Sequence, residues 1–234
     1  MALPLIRVHW LNDSRAFRLL FLLEQLKLDY EIVSHRRDKN FRAPEELKKI
    51  HPLGRAPLVE LEDRTSGKKK VLAESGYIFQ YILTHFDTDG ILNNNDPNTA
   101  EKVQYYLHYV EGSLQPPLML EFILSMAKKV SGPFPISYLV GMVTGRISSK
   151  YSAGELKNQM AYVESEIAKN QGFLVGGKLS AADILISYPL MSVFDLGLAH
   201  KKDYPNISNL LDTLSTLDSY SSAKRKAESL GSNY

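Results

Sequence analysis

Apolar and polar positions alternate over Leu5 to Trp10 (LIRVHW), the period-two pattern of a half-buried strand. From Ser14 to Leu28 the period lengthens, and Phe17, Leu20, Phe21, Leu23 and Leu28 fit the apolar face of an amphipathic helix. Tyr30 to Ser34 (YEIVS) alternates again. Two strands joined by a helix form a βαβ unit, parallel and right-handed. Pro44 to Ile50 suits a short helix with proline in its first turn. Pro57 to Leu61 and Val71 to Ala73 flank DRTSGKKK, which predicts an antiparallel hairpin with Ser66-Gly67 at its tip. Ser75 to Phe86 then carries Ile78, Phe79, Ile82, Leu83 and Phe86 at helical spacing.

The polar stretch Asp87 to Thr99 (DTDGILNNNDPNT) breaks this alternation and reads as a linker. Beyond it the pattern is helical throughout. Thr99 opens a long helix with Val103, Tyr106, Leu107 and Val110 on its apolar face, and Pro116-Pro117 is expected to kink or break it. Further helices are expected over Leu118 to Lys128, Ile136 to Ser148, Gly154 to Lys169, Ala181 to Phe194 and Ile207 to Thr216. The expected class is α/β plus all-α: a βαβ-α-ββα domain over 1–87, a linker over 88–98, and a helical bundle domain over 99–234.

Composition narrows the chemistry. Lys plus Arg number 28 and Asp plus Glu 26 in 234 residues, so the formal charge of +2 gives no field that argues for nucleic acid. Cysteine is absent, which removes disulfides, zinc–thiolate sites and any cysteine nucleophile. A thiol reaction would need its thiol from a ligand. The six histidines show no H-x-x-x-H spacing, so no metal site is expected. No apolar stretch reaches the ~20 residues of a membrane span. The N-terminus meets Arg7 and His9 too early for a secretory signal, and the C-terminal LGSNY carries no retention or peroxisomal address. A cytoplasmic protein is expected. Lys68-Lys69-Lys70 and Lys224-Arg225-Lys226 read as solvated surface, with weak contact to an anionic membrane as a minor reading.

Three stretches could carry chemistry. Asn12, Asp13 and Ser14 stand where the first strand turns into the first helix. Ser14 is either a plain N-cap or a hydroxyl aimed at an anion that the helix N-terminus favours. In HPLGRAPLVE, Gly54 permits a tight turn and Pro57 opens a strand. The Ala56–Pro57 bond is trans by base rate, whereas a cis bond would turn the Ala56 backbone toward an extended peptide ligand. In AESGYIF, Ser75 can cap the following helix and Glu74 precedes its positive end, so the pair suits either capping or an amino-acid head group. A fourth stretch, GGKLSAADI, is a capping box of Ser180 and Asp183 with a Leu179–Ile184 staple, and it is structural. Gly172 to Lys178 fits G-x-x-x-x-G-K, but Leu179 replaces the magnesium-binding Ser or Thr and no strand precedes it.

In this order and spacing, SRAFRLL, LGRAP, AES and LSAAD resemble the cytosolic glutathione S-transferase family over nearly the whole chain. The HW-x-x-x-SRAFRLL and FRAPEELKKIHPLGR stretches are most similar to fungal, yeast-type members. The resemblance implies a thioredoxin-like domain followed by a helical domain, usually in a homodimer. It implies glutathione as co-substrate and a small hydrophobic electrophile as the second substrate. Ser14 matches the position that hydrogen-bonds the glutathione sulfur, with Asn12 and Arg15 near enough to share that role. Ala56 matches the residue whose backbone pairs with the cysteinyl part, Pro57 the cis proline, and Glu74 with Ser75 the pair that holds the γ-glutamyl head. Arg42 and Arg55 fall where related classes place basic groups near the glycyl carboxylate. His51 stands where many members have Asn, and Trp10 and Tyr109 fall beside the second, hydrophobic pocket. The activity implied is conjugation of the thiolate to electrophiles in detoxification. A glutathione-dependent peroxidase and a non-catalytic scaffold of the same fold stay open. Some fungal relatives associate peripherally with the endoplasmic reticulum.

Overall fold

The computed structural model describes residues 3–12, 14–93 and 95–231. Asp13, one asparagine of the expected linker and the last three residues of LGSNY lie outside the described residues. The chain divides into two compact units, Met1–Ala100 with Thr213–Tyr234, and Glu101–Asp212.

In the first unit the strands are β1 (Leu5–Leu11), β2 (Glu31–His35), β3 (Leu58–Glu62) and β4 (Lys69–Leu72). The sheet order is β2-β1-β3-β4. β1 and β2 pair in parallel, as the strand–helix–strand spacing predicts, with Leu11 level with His35. β1 and β3 are antiparallel with His9 opposite Leu58, and β3 and β4 are antiparallel with Val59 opposite Leu72. The predicted hairpin tip is present: Asp63 accepts the N–H groups of Thr65 and Ser66, and Gly67 takes φ +66°.

Alternation sorts the two faces of the sheet. Ile6, Val8 and Trp10 share one face with Val59 and Leu61, and all five are buried. The other face is charged. Arg7 donates to Glu31 and Glu60 at 2.9 Å and also to Glu62; against burial, Lys69 at 3.0 Å and Arg7 together hold Glu60 below the usual carboxylate range, and Arg7 does the same for Glu62. Beside them His9 Nδ1 lies 3.1 Å from His35 Nε2, and burial lowers both imidazoles.

The helices of this unit are α1 (Phe17–Gln25), α2 (Glu46–Ile50), α3 (Ser75–Phe86) and α10 (Asp218–Ser229). α1 differs from the amphipathic expectation, since every residue from Phe17 to Leu23 is buried. α3 and α10 both pack on it. A helix enclosed on more than one side becomes apolar all round. The segment from Thr213, expected with the helical domain, therefore belongs with the sheet. Tyr220 meets Phe17 edge-on at 5.3 Å, and Ala223 and Ala227 are fully buried. Lys226, expected as solvated surface, pairs with Glu24 and lies 4.5 Å over the Tyr30 ring.

Within the described part of the expected linker, 87–93 form an ordered turn. Asp87 accepts the N–H groups of Ile91, Leu92 and Asn93, and Leu92 is buried. Helix α4 begins at Pro97, with Thr99 bonded to Asp96.

The second unit is helical: α4 (Pro97–Tyr109), α5 (Gln115–Val130), α6 (Ile136–Ile147), α7 (Ala153–Lys169), α8 (Ala181–Asp195) and α9 (Pro205–Ser215). Pro116-Pro117 does not break the helical path. A π turn over Val110–Leu114 precedes the prolines, which sit in the first turn of α5. There the missing N–H groups coincide with the wider turn instead of interrupting an α ladder. A second π turn, Ser148–Ser152, joins α6 to α7, and its two terminal serines donate to buried Glu121 of α5. Before α8, Ser180 N–H and Oγ donate to Asp183 at 2.8 and 2.7 Å, which completes the capping box. Among the described residues no helix is long and apolar enough to cross a membrane.

Candidate functional site

Strand register gathers the sequence candidates. β1 runs toward the edge at Leu11, and its parallel neighbour β2 leaves at the same edge at His35. Antiparallel β3 enters there at Leu58, so the chain over Gly54 to Pro57 lies at that edge. β4 leaves there at Leu72, which places Glu74 and Ser75 one turn away. Four connections thus share one end of the sheet: 12–16, 36–45, 51–57 and 73–75. They carry Ser14, Arg42, Arg55, Ala56, Pro57, Glu74 and Ser75.

Ser14 is buried, and its Oγ accepts the Ala16 N–H at 3.2 Å. It is not the N-cap of α1. The helix starts at Phe17 with Ala16 as N-cap, and the first bonds run from Leu19 and Leu20 to the Ala16 carbonyl. Ser14 stands in the turn that leads into α1. Asn12 is held by Arg37, whose backbone N–H donates to Asn12 Oδ1 at 2.9 Å and whose Nε donates to the Asn12 carbonyl at 3.1 Å. Arg37 Nη1 also donates to the Phe41 carbonyl, at a residue with φ +59°.

The Ala56–Pro57 bond is cis. Gly54 has φ +57°, and a Cβ there would meet Lys48 Cγ at 2.6 Å, so both backbone and space require glycine. Gly54 N–H donates to the His51 carbonyl at 2.8 Å, which makes His51 part of that turn. Ala56 is half-buried and Arg55 exposed. Arg42 is exposed as well, and its backbone is tied to Asp38 by its N–H and carbonyl.

At the β4–α3 junction, Ser75 is the first residue of α3 and not its cap. Glu74 occupies the N-cap position with φ +69°, a region that costs a non-glycine residue of order 1–3 kcal/mol and is held only where surroundings impose it. The Glu74 side chain is exposed and makes no capping bond. The first amides of α3 therefore lack a side-chain cap at the end where the helix dipole favours an anion.

Arg18 was not singled out by the sequence pattern. It is 1% exposed, and its Nη2 donates to Ser75 Oγ at 3.2 Å. Its signal in the sequence is a lone cation inside the apolar run FRLLFLL. Arg37 was missed too, because nothing local in HRRDKN distinguishes it from a solvated arginine. Trp10 presents no surface, being fully buried, and Tyr109 is 8% exposed with its hydroxyl bonded to Gln159. Neither side chain offers an open wall to a substrate. The Gly172 to Lys178 loop follows helix α7, not a strand, so the phosphate-loop context is missing. Among the described residues no group of three His, Asp or Glu could hold a metal ion.

Two family models match the chain: glutathione S-transferase, N-terminal domain, over residues 3–84, and glutathione S-transferase, C-terminal domain, over residues 122–218. Glutathione S-transferase 1 of Saccharomyces cerevisiae is 60% identical over 234 residues, covering the whole of both chains. A crystal structure of a glutathione S-transferase from Actinobacillus pleuropneumoniae superposes with a TM-score of 0.74 at 28% identity, covering 96% of this chain and 93% of that one. A glutathione transferase homologue from Lodderomyces elongisporus, with two GSH per subunit, superposes with a TM-score of 0.75 at 19% identity and shares the fold, over 94% of this chain and 98% of that one.

Proposed function

The chain belongs to the glutathione S-transferase family, and on that premise we propose that it conjugates the glutathione thiolate to small hydrophobic electrophiles. The observation that carries the proposal is the convergence of Ser14, cis Pro57, Glu74 and Ser75 on one end of the sheet. Glu74 suits the ammonium of the γ-glutamyl head, and Ser75 with the uncapped start of α3 suits its carboxylate. The Ala56 backbone pairs with the cysteinyl part, and Arg42 and Arg55 lie on the exposed rim for the glycyl carboxylate. Ser14 donates to the sulfur.

The energetics suffice without a general base. A free thiol has a pKa near ~8.5, and lowering it by about two units takes ~2.7 kcal/mol. One hydroxyl bond to an anion contributes ~1.5–3 kcal/mol and a helix N-terminus ~0.3–1. In the reaction, sulfur forms a bond to the electrophilic carbon, the leaving group departs with its electron pair, and the thiol proton passes to solvent. Because nucleophilicity falls with pKa, with β of ~0.4–0.5, positioning of the second substrate provides the rest of the acceleration. The deciding experiment is retention on immobilised glutathione followed by turnover with a chloronitrobenzene against an organic hydroperoxide. Turnover of the hydroperoxide alone would make the protein a peroxidase, and turnover of neither would favour a scaffold.

The protein is further proposed to be a homodimer, on family grounds, and to reside in the cytoplasm. One observation favours reversible attachment to a membrane surface such as that of the endoplasmic reticulum. Ten large apolar side chains of the α5–α6 hairpin over 122–147, and Tyr151 in the π turn that follows, are exposed, with Val130 at 75% and Phe134 at 79%. The same stretch carries Lys128, Lys129, Arg146 and Lys150 and no Asp or Glu. Exposed aromatic and aliphatic side chains among cations suit an anionic bilayer interface.

A further inference from the structure

Arg18 is a cation in the first turn of the apolar helix α1, and it is almost completely buried. Burying an arginine without function is costly, so the partner it reaches is informative. Its Nε donates to the Arg15 carbonyl at 3.5 Å, and among its partners is Ser75 Oγ, 3.2 Å from Nη2, on the first residue of α3 and 57 positions away in sequence. Ser75 is itself buried, 8% exposed.

The chemistry of this pair is directional. A guanidinium only donates, whereas a hydroxyl has one proton and two lone pairs. The Arg18 bond therefore occupies a lone pair of Ser75 Oγ and excludes rotamers that would aim the O–H at the guanidinium. Among the described residues no acceptor takes the Ser75 hydroxyl proton. A serine held in this way is a committed donor, next to helix amides that are also donors. Such a cluster fits a carboxylate and rejects an uncharged carboxamide, whose NH2 would face further donors.

We propose that Arg18 is a positioning residue that sets Ser75 as a donor to the α-carboxylate of the γ-glutamyl head and so determines selectivity for the charged head group. This rests on the reading that Glu74 and Ser75 hold that head. Arg18 itself does not touch the ligand. It acts through the orientation of one hydroxyl and through its charge beneath the α3 N-terminus, where a cation and the helix dipole reinforce each other.

The test is calorimetric titration of the full-length protein with glutathione and with its analogue amidated at the γ-glutamyl α-carboxylate. The wild type is expected to prefer glutathione at least tenfold. In Arg18→Met the preference collapses to within about twofold, and Ser75→Ala gives the same collapse. The double variant loses no more than either single one, because the two act as one unit. Losses that multiply in the double variant, or an Arg18→Met protein that keeps the full preference, overturn the proposal. Should Arg18→Met fail to fold, Arg18→Lys retains charge but not the planar fork. A drop in preference of at least threefold is expected there, and an unchanged preference overturns the proposal. A folded Ser75→Ala protein with wild-type preference instead removes the head-group reading beneath it, which separates the two failures.

Discussion

Tyr220 meets Phe21 edge to face, with ring centroids 5.5 Å apart and planes at 88°, so α10 is clamped to the first helix. The contact is long-range and apolar, and it closes the open side of α1. Tyr220→Ala removes that ring together with its contact to Phe17. A loss of about 3 kcal/mol is expected, since truncation of a buried aromatic leaves a cavity. Thermal unfolding followed by calorimetry should place Tm roughly 5–10 °C lower. An unchanged Tm would mean that α10 does not stabilise the sheet unit.

That helix also marks the limit of what the sequence disclosed. The strands, the hairpin tip and the start and end of α3 follow from local period and turn residues. α10 reads as DSYSSAKRKAES, a polar segment whose buried stripe is only Tyr220, Ala223 and Ala227. Small residues give no periodic signal, although they allow close helix approach. The site divides in the same way. Ser14, Pro57, Glu74 and Ser75 sit in short motifs at element ends and were legible. Arg18 and Arg37 act on partners 57 and 25 residues distant, and only the folded register brings those together. The π turn at Val110–Leu114 was invisible because proline announces the loss of a donor without specifying how the helix accommodates it.

Asp183 gives a pH dependence with a definite sign. Its carboxylate is completely buried, which lifts it to about 6 against the donors Ser180 and Leu174. The unfolded group titrates near ~3.9. Between these values the folded state retains the proton and the unfolded state releases it. Stability linked to this group is therefore greatest below ~4, falls as pH rises to about 6, and is flat above, a span of ~3 kcal/mol. Urea unfolding of wild type and Asp183→Asn at several pH values isolates the group. The wild-type advantage should shrink as pH rises from 4 to 6, and a constant difference would show that the capping carboxylate is ionised throughout.

The exposed α5–α6 hairpin predicts sedimentation with lipid vesicles. Wild type should pellet with vesicles containing phosphatidylserine, and less so as salt rises, because the cationic part of the attraction is screened. Phe134→Ser combined with Leu139→Ser removes two side chains that are 79% and 51% exposed, so folding should be unaffected. Vesicle binding should fall at least fivefold. Equal pelleting of the two proteins, or pelleting of neither, would leave the hairpin to another partner.

Ser14→Ala addresses the thiolate. The hydroxyl lies in the turn before α1, with one lone pair engaged by the Ala16 N–H, and on the proposed reading it stabilises the ionised sulfur while contributing little to the rest of the tripeptide. Glutathione affinity should therefore stay within about twofold. Losing a hydrogen bond to an anion, ~1.5–3 kcal/mol, returns the bound thiol one to two pH values toward ~8.5. Turnover at pH 6.5 should drop by roughly 3- to 10-fold, because the smaller ionised fraction is partly offset by the greater nucleophilicity of the less acidic thiolate, and the deficit should vanish as pH approaches 9, where even an unassisted thiol ionises. The ultraviolet absorbance of the bound thiolate, titrated with pH, reads the same shift without turnover. Ser14→Thr, which keeps the hydroxyl, should retain the wild-type profile. Coincident profiles for wild type and Ser14→Ala would transfer the role to Asn12 or Arg15, and the same titration on Asn12→Ala would then show the displaced midpoint.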